Sequence, residues 1–292
     1  MRARFLLIAC PAFGMFMSGS QAFGADLTCL TWNMEWFPSG KMNLRLPAIE
    51  PDRITAAAGM LNKEAPHLLF LQEIRDLAAC EALAQALGGN TRTVACSAFT
   101  DDTGIPTFQQ CAILIRTDEQ FPPPEVISSG FERWRRKGRV VPSRGYAYAV
   151  LKIGQATIAC YGVHLKANRS ATFKGRQQDI YNREVAIEQL LVDVKRHPAD
   201  HVIIAGDFNT NLDNEAWVSE SSLRRLDESG YAHCFPDIPI GDRVTIPAKN
   251  GYPDATFDYL FFKGFHLKDP GRIMTGAPIS DHNAVVMTLS VE

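Results

Sequence analysis

The tightest constraint on this chain is a recurring pattern in which an apolar, strand-like run meets polar side chains at one end. It occurs at Thr31-Trp32-Asn33-Met34-Glu35-Trp36, Phe70-Leu71-Gln72-Glu73-Ile74 and Tyr161-Gly162-Val163-His164-Leu165-Lys166. It recurs at Val202-Ile203-Ile204-Ala205-Gly206-Asp207-Phe208-Asn209, Phe257-Asp258-Tyr259-Leu260-Phe261 and Ser280-Asp281-His282-Asn283-Ala284-Val285. In the last two the polar residues come first. Short apolar runs predict buried strands. Polar groups inside a core cost about 1–3 kcal/mol each when unpaired. Gathered where strands end, they are instead typical of a site built on a rigid sheet.

Between these runs the chain predicts helices. Arg53 to Asn62 has Pro51 near its start. Asp76 to Leu87 is rich in Ala and Leu and stops at Gly88-Gly89. Gln177 to Arg196 is long and amphipathic. Leu27–Trp32, His67–Leu71, Cys111–Arg116, Tyr146–Ile153, Thr157–Val163, His201–Ala205, Phe257–Phe262 and Ala284–Leu289 read as strands, with a hairpin turn at Gly154-Gln155. Strands alternating with helices predict an α/β fold. No repeat, low-complexity tract or interdomain linker divides the 292 residues.

The first residues read as a leader, with Arg2 and Arg4, an apolar stretch from Phe5 to Met17 and small residues at Ala22 and Gly24. A signal peptide over 1–24 and one domain over 25–292 are therefore expected, and with them a secreted or periplasmic location. Export would place the remaining cysteines in an oxidising compartment. Cys80 and Cys96 flank a predicted helix and turn and are the pair expected to bridge. The net charge of −2 excludes a polycation, so any nucleic-acid attraction must be local. The strongly basic run is Arg133 to Arg139, read either as a solvated loop or as a phosphate contact with Trp134 as a stacking face.

The strand-end residues carry recognisable chemistry. Glu73, directly after a buried run, suits a hard cation such as Mg²⁺ or a simple loop charge. His164 suits either a satisfied core position or a phosphate, with Lys166 and Asn168 following it. Gly206 allows close backbone approach, and Asp207 and Asn209 then alternate to one side. Asp258 is placed to orient His282, on the logic of carboxylate–histidine pairs. No serine in a nucleophile-elbow setting accompanies the pair, which makes water the nucleophile. No cysteine pair has the spacing of a zinc site.

In order and spacing these motifs resemble the endonuclease/exonuclease/phosphatase superfamily, which includes pancreatic-type deoxyribonuclease, apurinic endonucleases, neutral sphingomyelinases and inositol polyphosphate 5-phosphatases. The matches are TWNMEW at 31–36, LQE at 71–73, GVHLK at 162–166, GDFN at 206–209, FDYLF at 257–261 and SDHNAV at 280–285. The resemblance implies a four-layer α-β-β-α sandwich of two packed mixed sheets. It also implies that Asn33 and Glu73 hold Mg²⁺, with Asp281 contributing directly or through water and Glu35 secondary; Mn²⁺ and Ca²⁺ are the alternative ions. Asp207 and Asn209 would handle the attacking water. His282, oriented by Asp258, would act as base or stabilise the transition state. His164 would protonate the leaving oxygen or bind a phosphate oxygen.

The expected function is metal-assisted, in-line hydrolysis of phosphodiesters. Nucleic acid, most of all DNA, is the first substrate class, with Arg135, Lys166 and Asn168 touching phosphates. A membrane phospholipid is the second. A non-catalytic binding or toxin-like member is the third. A monomer without an organic cofactor is expected.

Overall fold

The computed structural model describes residues 26–40, 50–168, 170–212, 219–249, 253–276 and 279–290, apart from the side chains of 142 and 143. The architecture follows from strands that are apolar on both faces. In β1 (Asp26–Phe37), Leu27 and Cys29 enter one cluster while Leu30, Trp32 and Met34 enter another. β2 (Leu68–Ile74) and β4 (Gln110–Arg116) divide in the same way. Strand side chains alternate between faces. A strand apolar on both needs a layer on each side.

α1 (Pro51–Glu64) and α2 (Leu77–Leu87) cover the outer face of this first sheet with Ile54, Ala57, Leu61 and Leu83. Pro51 sits in the first turn of α1, and Asp76 caps α2 by accepting the Ala79 N–H at 2.9 Å. The inner face meets a second sheet containing β6 (Arg139–Ile153), β7 (Ala156–His164), β8 (His201–Asp207) and β10 (Asp258–Lys263). α3 (Phe173–Val194) and α4 (Ser222–Glu228) add Ile187, Leu190, Leu223 and Leu226 beside that sheet. The result is the expected four-layer sandwich.

The first sheet runs β11 (His266–Met274), β12 (Ala284–Ser290), β1, β2, β4, β3 (Thr91–Cys96). The second runs β5 (Glu125–Arg136), β6, β7, β8, β10, β9 (Ala232–His233). Both are mixed, with a parallel pair at the centre: β1–β2 in one and β7–β8 in the other.

The four edge strands, β3, β5, β9 and β11, are the ones the apolar pattern does not predict. An edge strand pairs on one side only and tolerates polar residues and proline. β11 contains Pro270 and Gly271, and β5 alternates between half-buried and exposed positions. The basic run is correspondingly a hairpin and not a loop, with Arg133–Arg136 in β5 and the turn at Lys137-Gly138. Trp134 is only 7% exposed and packs on Tyr146, so it presents no open stacking face. α3 begins at Phe173, where the Thr172 side chain caps it by accepting the Gly175 N–H. The sulfurs of Cys80 and Cys96 are 3.7 Å apart as free thiols. The expected leader over 1–24 lies outside the described residues.

A buried ion pair ties α3 to the segment before α4, and its arginine also holds the loop after β7. The fully buried Arg183 bonds Glu220 twice, at 2.8 and 2.5 Å, and donates to the Lys166 carbonyl at 2.8 Å. Removing one partner strands the other charge in the core. Arg183→Ala is expected to cost about 3–5 kcal/mol in urea unfolding; a loss below 1 kcal/mol would refute that role for the pair.

Candidate active site

Strand register assembles the site. Asp207 ends β8 and is paired with His164 of β7 on one side and Asp258 of β10 on the other. Three strand-end residues therefore form one row. Gly206 makes this row possible: its φ is 150°, and a Cβ there would lie 1.9 Å from the Val163 carbonyl oxygen. In the other sheet Asn33 pairs with Gln72, and Glu73 follows with a φ of 57°. Asn209 has a φ of 52°. Non-glycine residues held in this left-handed region cluster at functional sites.

Asp207 is the hub. Its Oδ2 accepts from the Asn33 amide at 3.0 Å across the sheets and lies 3.4 Å from His164 Nε2 and 3.8 Å from His282 Nε2. Its Oδ1 accepts the Asn209 N–H at 2.9 Å, while the Asn209 amide donates to the Leu165 carbonyl. Glu73 Oε1 lies 3.9 Å from His164 Nε2 and accepts from Gln109 at 2.9 Å; its Oε2 accepts the Trp36 N–H. His282 Nδ1 meets Asp258 Oδ2 at 2.9 Å. Ser280 braces this corner, donating to the Asn33 carbonyl and accepting the His282 N–H.

The two histidines are backed by opposite charges. Arg144 Nη1 lies 2.9 Å from His164 Nδ1. A guanidinium only donates. His164 Nδ1 is therefore the acceptor, and the ring's proton sits on Nε2, facing Asp207 and Glu73. His282 is instead backed by a carboxylate. Burial works against its charge, but the charge and hydrogen bond of Asp258, with Asp207 behind them, outweigh burial and hold it at about 10. Burial lifts Asp207 to about 7, with Asp258 adding to the rise and His282 opposing it.

The chemistry of these donors fits a divalent cation. Asp207, Asp258 and His282 each bring a ligand atom within 4.8 Å of the others. Asp258 Oδ1 is buried with no hydrogen-bond partner among the described residues. Buried carboxylates on two sheets call for a compensating charge, and oxygen donors suit a hard ion. Glu73 and Asn33 stand beside this group and would hold such an ion, while Asp207, Asp258 and His282 line its neighbourhood and stay free for proton transfer.

Thus Asn33, Glu73, His164, Asp207, Asn209, Asp258 and His282 converge at one end of the sandwich. Asp281 stands at the exposed rim, 3.9 Å from Lys249. Burial raises the Glu35 carboxyl, and the negative charge of Asp281 raises it further. Arg135 and Lys166 line a neighbouring cavity. Asn168 Oδ1 is buried with no partner among the described residues. Arg144 and Gln109 are the contributors missed by the strand-end pattern. Gln109 precedes β4, and Arg144 lies inside a strand just beyond the basic run, so neither sits at the polar end of an apolar run.

A four-layer sandwich with this buried acid–histidine group at its strand ends defines a class of metal-dependent phosphoester hydrolases. The sequence profile described as "Endonuclease/Exonuclease/phosphatase family" matches residues 30–282. The chain belongs to that family, whose members are divalent-metal-dependent hydrolases of phosphoester bonds. No curated protein matches it. Among solved structures it is similar to truncated Caenorhabditis elegans TDP2 at 18% identity and a TM-score of 0.62, covering 91% of this chain and 98% of that one. The endonuclease/exonuclease/phosphatase from Beutenbergia cavernae DSM 12333 gives 18% and 0.62 over 91% and 72%. That from Bacteroides vulgatus gives 14% and 0.62 over 91% and 99%. At such identities the likeness shows the fold.

The raised pKa of His282 has a clear sign. The proton stabilises the fold fully below the ordinary imidazole pKa of about 6.5, and this contribution is lost as pH rises through about 10. In metal-free Asp258→Asn the pKa is expected to fall toward the ordinary range, read from the ring resonances by NMR. Identical titrations in both proteins would contradict the pairing.

Proposed function

We propose that the chain is an exported, Mg²⁺-dependent nuclease that hydrolyses phosphodiester bonds, with DNA as the substrate class. The observation that carries this reading is Asp207 set between two histidines of opposite backing, with Nε2 atoms at 3.4 and 3.8 Å. Hydrolysis of a diester needs a base for water, donors for the phosphate oxygens and an acid for the departing oxygen. A bound divalent cation supplies charge neutralisation as the phosphate gains negative charge.

The residues divide the remaining work. Asp207, lifted to about 7, accepts the proton of the attacking water near neutral pH. Its Oδ1 bond from the Asn209 N–H and Oδ2 bond from Asn33 fix its direction. His164 donates from Nε2 to a phosphate oxygen while Arg144 occupies Nδ1. His282, kept protonated by Asp258, gives its proton to the leaving oxygen. The water oxygen bonds to phosphorus, the opposite P–O bond breaks, and a phosphomonoester and an alcohol remain.

A polyanionic substrate is supported by the basic β5–β6 hairpin and by Lys166 beside His164. The aromatic side chains of Tyr231 and Phe235 are buried and offer no exposed apolar face to a lipid surface. Export is supported by the leader-like residues 1–24.

Plasmid nicking with Mg²⁺ or Mn²⁺, abolished by EDTA, is the expected result. Asp207→Asn and His282→Ala should each lower kcat/KM by about 10²–10⁴-fold. Intact plasmid alongside clean cleavage of a phospholipid head group would overturn the nuclease assignment. Fractionation with N-terminal sequencing checks export: the exported chain should lack residues 1–24.

A further inference from the structure

A cavity of about 310 Å³ lies next to the row of site residues. Its walls come from β5, β6, the loop after β7 and α3, and they include Trp134, Arg135, Arg136, Arg144, Lys166 and Gln189. Among the described residues, four that line it are cations and none is a carboxylate. A concave site lined by one sign of charge concentrates the opposite ion. The chain as a whole carries a net charge of −2, so this gathering of cations is a local feature.

The walls are held in place. The Gln189 side chain accepts the Arg135 N–H at 2.7 Å and donates to the Arg135 carbonyl at 2.5 Å, which clamps β5 to α3. Arg183 holds the backbone of Lys166 from the other side. Lys166 Nζ lies 3.5 Å from Asp179 Oδ1, so one cation is partly neutralised by a group behind the wall. The Trp134 side chain forms part of the same wall. Trp134 is more than nine-tenths buried, and its indole N–H has no hydrogen-bond partner among the described residues.

Arg144 connects this cavity to the reaction centre. It lines the cavity and donates to His164 Nδ1 at 2.9 Å. The two places are one side chain apart.

We propose that this cavity is an anion subsite for a second phosphate of the substrate, neighbouring the diester that is cleaved. The ligand class is a phosphate group on a nucleotide, held by the charge of Arg135, Arg136 and Arg144. The proposal rests on the site being a phosphodiesterase, and it narrows the substrate to diesters that carry a further phosphate. An isolated diester leaves the cavity unfilled.

Two measurements separate the subsite from the activity. In EDTA, inorganic phosphate added to the metal-free protein should shift the Trp134 indole N–H resonance, with chloride at equal ionic strength as control. Arg136→Glu should weaken that shift at least tenfold in apparent affinity, since a charge-assisted contact is removed and reversed. With metal present, the dinucleotide TpT is compared with its 5′- and 3′-phosphorylated forms. One phosphorylated form should be cleaved with kcat/KM about tenfold or more above TpT, and Arg135→Glu and Arg136→Glu should each shrink that ratio. Equal ratios in all three proteins, or an indole signal indifferent to phosphate, would overturn the subsite. A phosphate-responsive indole in a protein that cleaves no diester would keep the subsite and remove the proposed activity.

Discussion

A carboxylate buried to 1% exposure between two sheets is the feature around which the active end is arranged. Asp207 has to be met by donors, because an unpaired buried charge is costly. The donors come from opposite sides of the sandwich: Asn33 from the first sheet, and His164 with the Asn209 backbone from the second. Asp207 therefore joins the two sheets at the end where their strands expire. The same requirement explains Gly206, whose missing side chain lets β8 run close enough to β7 for Asp207 and His164 to stand abreast.

The opposite backing of the two histidines turns this geometry into chemistry. A guanidinium behind His164 leaves the ring one proton, on Nε2. A carboxylate behind His282 favours the imidazolium. Both rings look at the same oxygen of Asp207, yet one is a fixed hydrogen-bond donor and the other holds a proton it can release. Two side chains of the same type thus acquire different tasks from their neighbours alone. Arg144 extends this logic outward, since the residue that sets the His164 tautomer also forms a wall of the cationic cavity.

Much of this was legible in the residues. The central strands announced themselves because they are apolar on both faces, and their polar ends marked the site: seven of the residues singled out there come together in space. The edge strands did not, because a strand paired on one side accepts arginine, proline and glycine, as β5 and β11 do. Trp134 shows the same limit. Set among arginines it reads as an exposed ring, but the neighbouring strand supplies Tyr146 to bury it. Arg144 and Gln109 were invisible for a different reason, since each acts on a residue far away in sequence.

The sequence by itself determined the class of fold, the order of its motifs and the chemical types available at the strand ends, because burial on both faces and the cost of unpaired polar groups leave a local imprint. Only the tertiary structure decided which partner each group meets. The register of β7, β8 and β10 set His164, Asp207 and Asp258 in one row, and the packing of the sheets brought Asn33 to Asp207. Position along the chain names the groups; their distances, protonation and shared cavity arise when strands remote in sequence are laid side by side.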